Sequence, residues 1–348
     1  MKAFQLVEWQ QPPEFRDVPV PEPGPGQVLI KVGGAGACHS DLHLMEWPAG
    51  MMPYPVPFTL GHENAGWVEK LGSGVAGFAV GDPVAVYGPW GCGHCYACRQ
   101  GIETYCENAA TVNGGAGGGG LGLDGGIAEY LLIQSSRHLV PLTTMSPKEA
   151  AAITDAGLTP YHAIKRSLPL LTPRASVVVI GVGGLGHLAV QILRALTSAQ
   201  IIAVDVAENK LTLAKKVGAD ATVISNDDAP AAVMDLTHGQ GAEVVLDFVG
   251  AEPTMALGAK MAHKAGHFTV VGLAMGTLPF NFFALPYECA VAAPYWGTLP
   301  ELMELVALAE NGHIRSHNTY YPLDRAAEAY DALRAGSIQG RAVIVPNE

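Results

Sequence analysis

The stretch from Ala175 to Leu193 contains no Asp, Glu, Lys or Arg, and it restricts the fold of this chain more than any other feature. Its length alone would suit a membrane-spanning helix. Glycines at 181, 183, 184 and 186 divide it into a β-branched run, a turn and a helix-like run. We therefore predict a buried strand, a tight turn and a helix, and no membrane span.

Strand-like and helix-like runs alternate around this turn. Apolar runs at 201–204, 244–248 and 268–271 predict strands, and runs at 188–196 and 210–217 predict helices. This alternation is typical of βαβ units in a parallel sheet. Before residue 150, short strand patterns such as 27–32 and 83–87 lie between Pro and Gly and predict a mostly-β domain. A helix at 299–309 and a strand at 341–345 follow, and we expect this tail to return to the first domain.

Composition excludes several classes of protein. The chain has 348 residues, 49% hydrophobic and 15% charged, so we expect two folded domains rather than disorder. Lys and Arg number 20 against 32 Asp and Glu, and the net charge of −12 disfavours nucleic acid and anionic membranes as partners. The first residues show no basic segment followed by an apolar run, so we expect a cytoplasmic protein without a signal peptide.

Four of the six cysteines lie close together, as Cys92, Cys95, Cys98 and Cys106. Disulfides are unusual in a cytoplasmic chain, whereas four thiolates at short spacing can surround one Zn²⁺ tetrahedrally. A closed set of four thiolates leaves no position for substrate, so this zinc site would be structural. The alternatives are ordinary loop cysteines and a zinc ribbon that binds nucleic acid, which the acidic chain disfavours.

A second group of metal-binding residue types occupies Cys38-His39-Ser40-Asp41-Leu42-His43 and Gly61-His62-Glu63. It combines a thiol, imidazoles, a hydroxyl and carboxylates. The spacing alone leaves two interpretations open, because a lone Cys or His is more often a buried core residue than a metal ligand.

The turn Gly181-Val182-Gly183-Gly184-Leu185-Gly186 lies between a predicted strand and a predicted helix, which is the context of a dinucleotide-binding turn. Its glycines permit a pyrophosphate to approach the backbone and the helix N-terminus. Asp205 ends the next predicted strand, about 20 residues downstream. Its carboxylate can accept from both adenosine ribose hydroxyls and would repel a 2′-phosphate, so NAD is favoured over NADP.

These features together resemble one family. The chain is similar to the zinc-dependent alcohol dehydrogenases of the medium-chain dehydrogenase/reductase family through Gly61-His62-Glu63-x2-Gly66-x5-Gly72-x2-Val75, the Cys38 segment and the four cysteines. The resemblance covers nearly the whole chain and is greatest to bacterial secondary-alcohol dehydrogenases, through residues 87–92, 154–162 and 294–297. It implies an α/β protein with a GroES-like, mostly-β catalytic domain (1–156 and 295–348). A Rossmann domain with a doubly wound parallel sheet (157–294) would bind NAD.

The resemblance implies a catalytic zinc as well as the structural one, two per subunit. The family's zinc ligands match Cys38 and His62, and the third ligand, often Cys, is replaced here by Asp155. A carboxylate is an accepted zinc ligand, although it makes the site harder. Glu63 resembles a glutamate close to the zinc that exchanges with bound water, and Asp41 resembles a carboxylate that orients His62.

The implied reaction is reversible hydride transfer between an alcohol carbon and NAD, with zinc as the Lewis acid. Ser40 resembles the family's hydroxyl relay, and His43 resembles the histidine that passes the proton to solvent. The simpler alternatives are a local backbone hydrogen bond for Ser40 and a surface imidazole for His43.

The resemblance also implies cofactor contacts and a substrate pocket. Lys210 would lie near the ribose, His39 and Arg341 near the pyrophosphate and Thr159 near the nicotinamide, with Phe248 and Val271 as further cofactor contacts. For Lys210 and Arg341 the alternative is a solvated surface charge. Aromatic pocket residues would suit hydrophobic secondary alcohols and ketones and some primary alcohols and aldehydes, unless they are ordinary core residues: Trp47, Tyr54, Phe282, Tyr295 and Trp296.

Two other functions remain open. A polyol or sugar-alcohol dehydrogenase would share the zinc and NAD chemistry but have a more polar pocket. A non-catalytic NAD-binding protein would keep the fold without the catalytic zinc. The resemblance further implies a homodimer or homotetramer that pairs through the sheet edges of its cofactor domains, and Gly114 to Gly120 is expected to be a flexible loop.

Overall fold

The computed structural model describes residues 1–347, which form two compact units. The first unit comprises Met1–Leu158, Thr298–Glu310 and the chain from Ser316 onward; the second comprises Thr159–Gly297 and Asn311–Arg315. The predicted boundaries differ from these units at residues 157–158 and 295–297. The predicted first domain also includes residues 311–315, which belong to the second unit. The reason is that the Arg315 backbone donates to Gln191 Oε1 (2.9 Å) and accepts from Gln191 Nε2 (3.0 Å), within the second unit.

The elements of the described residues are as follows. The strands are β1 (Lys2–Leu6), β2 (Glu14–Asp17), β3 (Val28–Ala37), β4 (Phe58–Thr59), β5 (Glu63–Leu71), β6 (Pro83–Val86), β7 (Gly118–Gly119), β8 (Gly122–Leu123), β9 (Tyr130–Ile133), β10 (Leu139–Pro141), β11 (Ser176–Ile180), β12 (Gln200–Asp205), β13 (Ala221–Ile224), β14 (Ala242–Asp247), β15 (Ala262–Val270), β16 (Ala290–Ala292), β17 (Asn318–Pro322) and β18 (Arg341–Val345). The helices are α1 (His39–Glu46), α2 (Tyr96–Arg99), α3 (Pro147–Ala150), α4 (Leu158–Lys165), α5 (Gly186–Leu196), α6 (Glu208–Lys216), α7 (Ala229–Leu236), α8 (Glu252–Met261), α9 (Leu299–Glu310) and α10 (Ala326–Arg334). None of these helices is long and apolar enough to cross a bilayer.

The main sheet of the first unit has the strand order β10-β6-β5-β3-β18-β17, with β9 also paired to β3. β18 lies antiparallel to β3, with Ala342 opposite Ala37 and Ile344 opposite Ala35. This pairing confirms that the tail returns to the first domain. A smaller sheet has the order β2-β1-β4. β3 and β18 are buried along nearly their whole length, because their small and branched side chains are covered on both faces.

The second unit is built on one sheet in the order β13-β12-β11-β14-β15-β16, in which every neighbouring pair is parallel. Counted along the chain this is 3-2-1-4-5-6, the strand order of the Rossmann fold. β11 lies inside the sheet and is fully buried, since its β-branched side chains pack on both faces. α5 follows directly and buries its apolar face. The predicted parallel sheet and Rossmann domain are confirmed.

The segment from Gly114 to Gly120 is not the flexible loop that the sequence predicts. Gly114 is exposed, but Gly118 and Gly120 are buried. A Cβ at Gly118 would lie 2.1 Å from the carbonyl oxygen of Gly88, and one at Gly120 would lie 2.7 Å from the backbone nitrogen of His62. Glycine is needed here for close packing of backbone on backbone, not for freedom of movement.

Candidate metal centres and dinucleotide turn

Four donor side chains of the first unit converge on one point: Cys38, His62, Glu63 and Asp155. Their donor atoms lie within 4.8 Å of one another, and all four residues are buried. Cys38 lies between β3 and α1, Glu63 begins β5, and Asp155 follows a 3-10 turn at Ala151–Thr154. The fold thus brings together Cys38 and Asp155, which are 117 residues apart.

The distances between these donors suit one shared metal ion. Asp155 Oδ2 lies 3.9 Å from Cys38 Sγ and 3.5 Å from His62 Nε2. Ligands bonded to a tetrahedral zinc at about 2.0 to 2.3 Å are themselves about 3.3 to 3.8 Å apart. Thiolate, imidazole and carboxylate are also donor types that zinc accepts. The residues present therefore fit a zinc ion.

Asp41 connects two of these donors. Its Oδ1 lies 3.0 Å from His62 Nδ1, which leaves His62 Nε2 facing the other donors. Its Oδ2 accepts from the Cys38 backbone N–H (3.0 Å) and from the Tyr330 hydroxyl (2.7 Å). This is the geometry expected of a carboxylate that orients a metal-binding histidine.

Glu63 forms a buried ion pair with Arg341. Arg341 Nε donates to Glu63 Oε2 (3.0 Å), Arg341 Nη2 donates to Glu63 Oε1, and neither side chain is more than 3% exposed. Gly36 makes room for the pair, because a Cβ there would lie 1.9 Å from Glu63 Oε2. Arg341 is therefore not a solvated surface charge, and its contact with the cofactor pyrophosphate stays a prediction.

The charges of this cluster favour a thiolate beside a protonated imidazole before metal binds. Burial raises the pKa of Cys38, but Arg341 and His62 outweigh it and lower that pKa to about 7. Burial lowers the pKa of His62, but Asp41 and Asp155 outweigh it and raise that pKa well above its usual value. A divalent cation can replace the imidazole proton among these groups, so metal binding would release protons.

The other cysteine group forms a compact lobe around α2. The Sγ atoms of Cys92 and Cys98 lie 3.9 Å apart, as do those of Cys95 and Cys106. A disulfide bond is about 2.05 Å long, whereas the edge of a tetrahedron with Zn–S bonds of 2.3 Å is about 3.8 Å. The backbone N–H of His94 contributes most to lowering the pKa of Cys92, which is about 5. The lobe therefore fits a zinc ion with a closed set of four thiolates.

Glu103 attaches this lobe to the body of the first unit. Its Oε2 accepts from the Gly91 backbone N–H (2.8 Å) and lies 3.2 Å from His138 Nε2. Arg137 Nε donates to its Oε1 (2.9 Å). Burial raises the pKa of Glu103, but His138 and Arg137 outweigh it and lower that pKa below its usual value. An ionised Glu103 thus fixes Gly91, the residue next to the first lobe cysteine.

In the second unit, each key glycine of the turn between β11 and α5 has its own role. Gly181 adopts φ +85°, which a tight turn requires. A Cβ at Gly186 would lie 1.9 Å from the Gly181 carbonyl oxygen, so this glycine permits close packing of helix on strand. Gly183 has no atom within 4 Å of its Cβ position, which leaves that side of the turn open. Gly184 and Leu185 join this open turn to the N-terminus of α5. A pyrophosphate fits an open turn at a helix N-terminus.

Asp205 ends β12 beside this turn. Its Oδ2 accepts from the Val182 backbone N–H (2.7 Å), and its Oδ1 accepts from the Ala207 N–H (3.0 Å). Each carboxylate oxygen can accept a second hydrogen bond, so both remain able to bind ribose hydroxyls. Lys210 lies half-buried on α6, in the segment that follows.

The further predicted residues of the first unit differ in how they relate to the metal donors. Ser40 Oγ is 3.3 Å from His62 Nε2. His43 stacks on Trp47, with ring centroids 6.0 Å apart. Burial raises the pKa of Tyr54, and the charge of His62 opposes that rise. His39, also a predicted contact, is exposed at the start of α1.

The remaining predicted residues belong to the second unit and differ in exposure. Thr159, Val271 and Trp296 are buried, and Phe248 is half-buried. Phe282 is 75% exposed and Tyr295 is 48% exposed. Exposed rings do not form an enclosed wall, so the substrate-pocket role of Phe282 and Tyr295 stays a prediction.

Comparisons with known proteins place the chain in a family. The model of the alcohol dehydrogenase GroES-like domain matches residues 24–144, and that of the zinc-binding dehydrogenase matches residues 184–310. An NAD-dependent alcohol dehydrogenase of Sulfurisphaera tokodaii is 36% identical over 357 aligned residues, covering 99% of this chain and 100% of that protein. The chain belongs to the zinc-dependent alcohol dehydrogenase family. The predicted GroES-like and Rossmann domains are those of the family.

Two further comparisons bear on this family member. The alcohol dehydrogenase structure from Aeropyrum pernix has a TM-score of 0.91 and 37% identity, covering 99% of this chain and 100% of that one. A D-arabinose 1-dehydrogenase (NADP(+)) of Saccharolobus solfataricus is 35% identical over 349 aligned residues, covering 99% and 97%. Relatives at almost equal identity are thus named for alcohols and for a sugar, and identity alone does not select the substrate.

Two features of the metal centre escape the sequence analysis. Tyr330 gives no signal, since it lies 289 residues from Asp41 on an ordinary amphipathic helix. The backbone that holds His62 is enclosed by glycines, because a Cβ at Gly120 or Gly125 would lie 2.6 or 2.3 Å from the Gly61 carbonyl oxygen. The sequence shows many glycines after residue 114, but it does not distinguish close packing from flexibility.

Proposed function

We propose that this chain is an NAD-dependent zinc alcohol dehydrogenase that catalyses reversible hydride transfer between NAD and alcohols. The observation that carries the proposal is the convergence of Cys38, His62 and Asp155 on one point beside Ser40, in a member of this family. Zinc at that point would supply a Lewis acid for the substrate oxygen, and NAD would supply the hydride acceptor.

The donor residues would hold the metal and set the net charge of the centre. Cys38, His62 and Asp155 would be its ligands, and Asp41 would keep the proton of His62 on Nδ1 so that Nε2 can bind the metal. Glu63 brings a further carboxylate to the centre. Because Arg341 neutralises it, this carboxylate adds little net negative charge.

Ser40 and His43 move the proton that leaves the alcohol hydroxyl. Ser40 Oγ lies 3.3 Å from His62 Nε2, so its hydroxyl would face a substrate held at this centre. His43 Nδ1 is buried and has no hydrogen-bond partner among the described residues, so it can accept a proton or bind a cofactor hydroxyl. A histidine suits transfer to solvent, since its usual pKa is near neutrality.

The open glycine turn binds the pyrophosphate of NAD, and Asp205 binds the adenosine ribose. The Asp205 charge would repel the 2′-phosphate of NADP. The further proposed cofactor contacts are His39, Thr159, Lys210, Phe248, Val271 and Arg341.

The proposed substrates are hydrophobic secondary alcohols and ketones, with some primary alcohols and aldehydes. Tyr54 and Trp47 support this class, because they place aromatic area near His62 and His43. Phe282, Tyr295 and Trp296 are proposed to add to it. A sugar substrate is the second candidate, which the D-arabinose relative favours.

We further propose a cytoplasmic homodimer or homotetramer. β16 is one of the two edge strands of the Rossmann sheet. Phe280 and Phe283, in the segment before it, are 78% and 80% exposed. Exposed aromatic rings of this kind are typical of a surface that a second copy covers.

The test is NADH oxidation with aliphatic and aryl ketones, aldehydes and ketosugars, before and after metal is removed with a chelator. We expect turnover of hydrophobic carbonyls that is lost on chelation. Cys38→Ser should abolish it, whereas Cys289→Ser, which changes a cysteine outside both metal groups, should not. Turnover of ketosugars alone would favour the sugar dehydrogenase, and none by fully metallated protein would favour the non-catalytic NAD-binding protein.

A further inference from the structure

The side chain of Tyr330 is buried in the first unit and contacts the metal centre through Asp41. It donates to Asp41 Oδ2 at 2.7 Å, and Tyr330 is only 3% exposed. Its ring stacks on Phe4, with centroids 6.1 Å apart and planes 17° apart. The ring therefore cannot turn away from Asp41 without disturbing the packing of α10 against its neighbours.

This hydroxyl completes the set of donors to Asp41. Oδ1 lies against His62 Nδ1 (3.0 Å), and Oδ2 accepts from Tyr330 and from the Cys38 backbone. Rotation of an Asp carboxylate about its last side-chain bond has no steep preference, so only its partners fix its plane. Without the Tyr330 hydroxyl, Oδ2 keeps one donor, and Oδ1 is held less firmly against His62.

We propose that Tyr330 is a positioning residue of the metal centre: its hydroxyl fixes the Asp41 carboxylate, and thereby the orientation of His62 and the rate at which bound metal is lost. The inference rests on the proposed function, because it requires metal at Cys38, His62 and Asp155. Burial and the Asp41 charge raise the pKa of Tyr330, so its hydroxyl remains a donor.

The test measures the release of zinc from the full-length, zinc-loaded protein to a colorimetric chelator. The kinetic phase of zinc release that is absent in Cys38→Ser is assigned to this centre. Removal of a hydrogen-bond partner that orients a metal-binding histidine typically lowers metal affinity by about 10- to 100-fold. We therefore expect Tyr330→Phe to accelerate this phase of zinc release about tenfold. Tyr87→Phe is the matched control, because Tyr87 is fully buried and its hydroxyl lies 2.9 Å from Thr104 Oγ1, away from Asp41.

Equal release rates in Tyr330→Phe and Tyr87→Phe would overturn the inference alone. A wild-type protein without the Cys38-dependent phase would overturn the proposed function and this inference together. A double-mutant cycle with Asp41→Asn adds a second criterion. We expect Tyr330→Phe to have little further effect in that background, and an undiminished effect would show that Tyr330 does not act through Asp41.

A spectroscopic measurement separates positioning from general stability. In protein loaded with Co²⁺, the visible absorption of the Cys38-dependent site should shift in Tyr330→Phe and stay unchanged in Tyr87→Phe. Tyr330→4-aminophenylalanine keeps an N–H donor at the same place and should restore both the spectrum and the release rate. It also provides a folded variant if Tyr330→Phe does not fold, and failure to restore either property would overturn the inference.

Discussion

Asp155 is the residue in which this chain departs from the ligands expected of its family. Its Oδ2 lies within 3.9 Å of both Cys38 Sγ and His62 Nε2, so the carboxylate can bind the same metal ion as they do. We predict that Asp155→Ala weakens metal binding at this centre by about a hundredfold or more, because loss of a ligand should cost at least as much as loss of a ligand's hydrogen-bond partner, which costs about 10- to 100-fold. Zinc content after dialysis against a chelator measures this.

Asp155→Cys is the matched control, because it keeps a charged donor at the same place and should retain the metal. Wild-type zinc content in Asp155→Ala would remove Asp155 from the metal site.

Asp205 holds the dinucleotide turn through its hydrogen bond from Val182, and its charge is proposed to select NAD. Asp205→Asn keeps an acceptor for the Val182 N–H but removes the charge, so the turn should remain intact. We predict at least a tenfold fall in the ratio of kcat/KM for NAD to that for NADP, since a hydrogen bond to a charged group is worth about 1.5 to 3 kcal/mol. Asp227→Asn, on the exposed segment after β13, should leave the ratio unchanged. An unchanged ratio in Asp205→Asn would exclude a contact with the ribose.

Among the elements, the glycine segment that includes β7 packs closely against the backbone at Gly61 and His62. Gly120 has φ +81°, and a Cβ there would lie 2.5 Å from the Gly61 carbonyl carbon. We predict that Gly120→Ala lowers the free energy of unfolding by about 3 kcal/mol or more, through strain and overlap, and lowers zinc content. Urea unfolding measures the first and metal analysis the second.

Gly114→Ala separates overlap from backbone strain. Gly114 has φ +69° with no atom within 4 Å of its Cβ position, so only the strain of about 1 kcal/mol remains. Equal effects of Gly114→Ala and Gly120→Ala would contradict the close packing on His62.

Four strands of the Rossmann sheet (β11, β12, β14 and β15) and two of its helices (α5 and α6) were predicted, because each carries its own pattern, whereas its edge strands β13 and β16 were not. The β-branched run before Gly181 and the apolar run after Gly186 match β11 and α5 within one or two residues. The Gly114 to Gly120 segment was wrongly interpreted, because a glycine that gives flexibility and one that gives close packing look alike in sequence.

At the scale of the whole molecule, contacts between distant parts of the chain set the limits of prediction. Cys38, His62 and Asp155 were proposed as ligands through family resemblance, since nothing local links residues 117 apart. The pairing of Glu63 with Arg341, 278 residues later, and of Asp41 with Tyr330 depends on how β18 and α10 return to the first unit. Only the folded chain places these charges beside one another.

Assembly of copies also belongs to this scale. We predict that Phe283→Asp shifts the protein to a smaller species in analytical ultracentrifugation, because a charge at an apolar interface is unfavourable. Val80→Asp is the matched control, since Val80 is 67% exposed and lies in the other unit. An unaltered sedimentation coefficient in Phe283→Asp would place the interface elsewhere.

Hydride transfer between NAD and an alcohol carbon is proposed to occur at the centre formed by Cys38, His62 and Asp155. Its most direct test is reduction of a hydrophobic ketone by NADH that carries deuterium in the transferred position, followed by mass and NMR analysis of the product. Zinc-loaded protein should give an alcohol with one deuterium on the carbinol carbon, and Cys38→Ser should give no product. An unlabelled alcohol, or equal turnover by Cys38→Ser, would contradict this proposal.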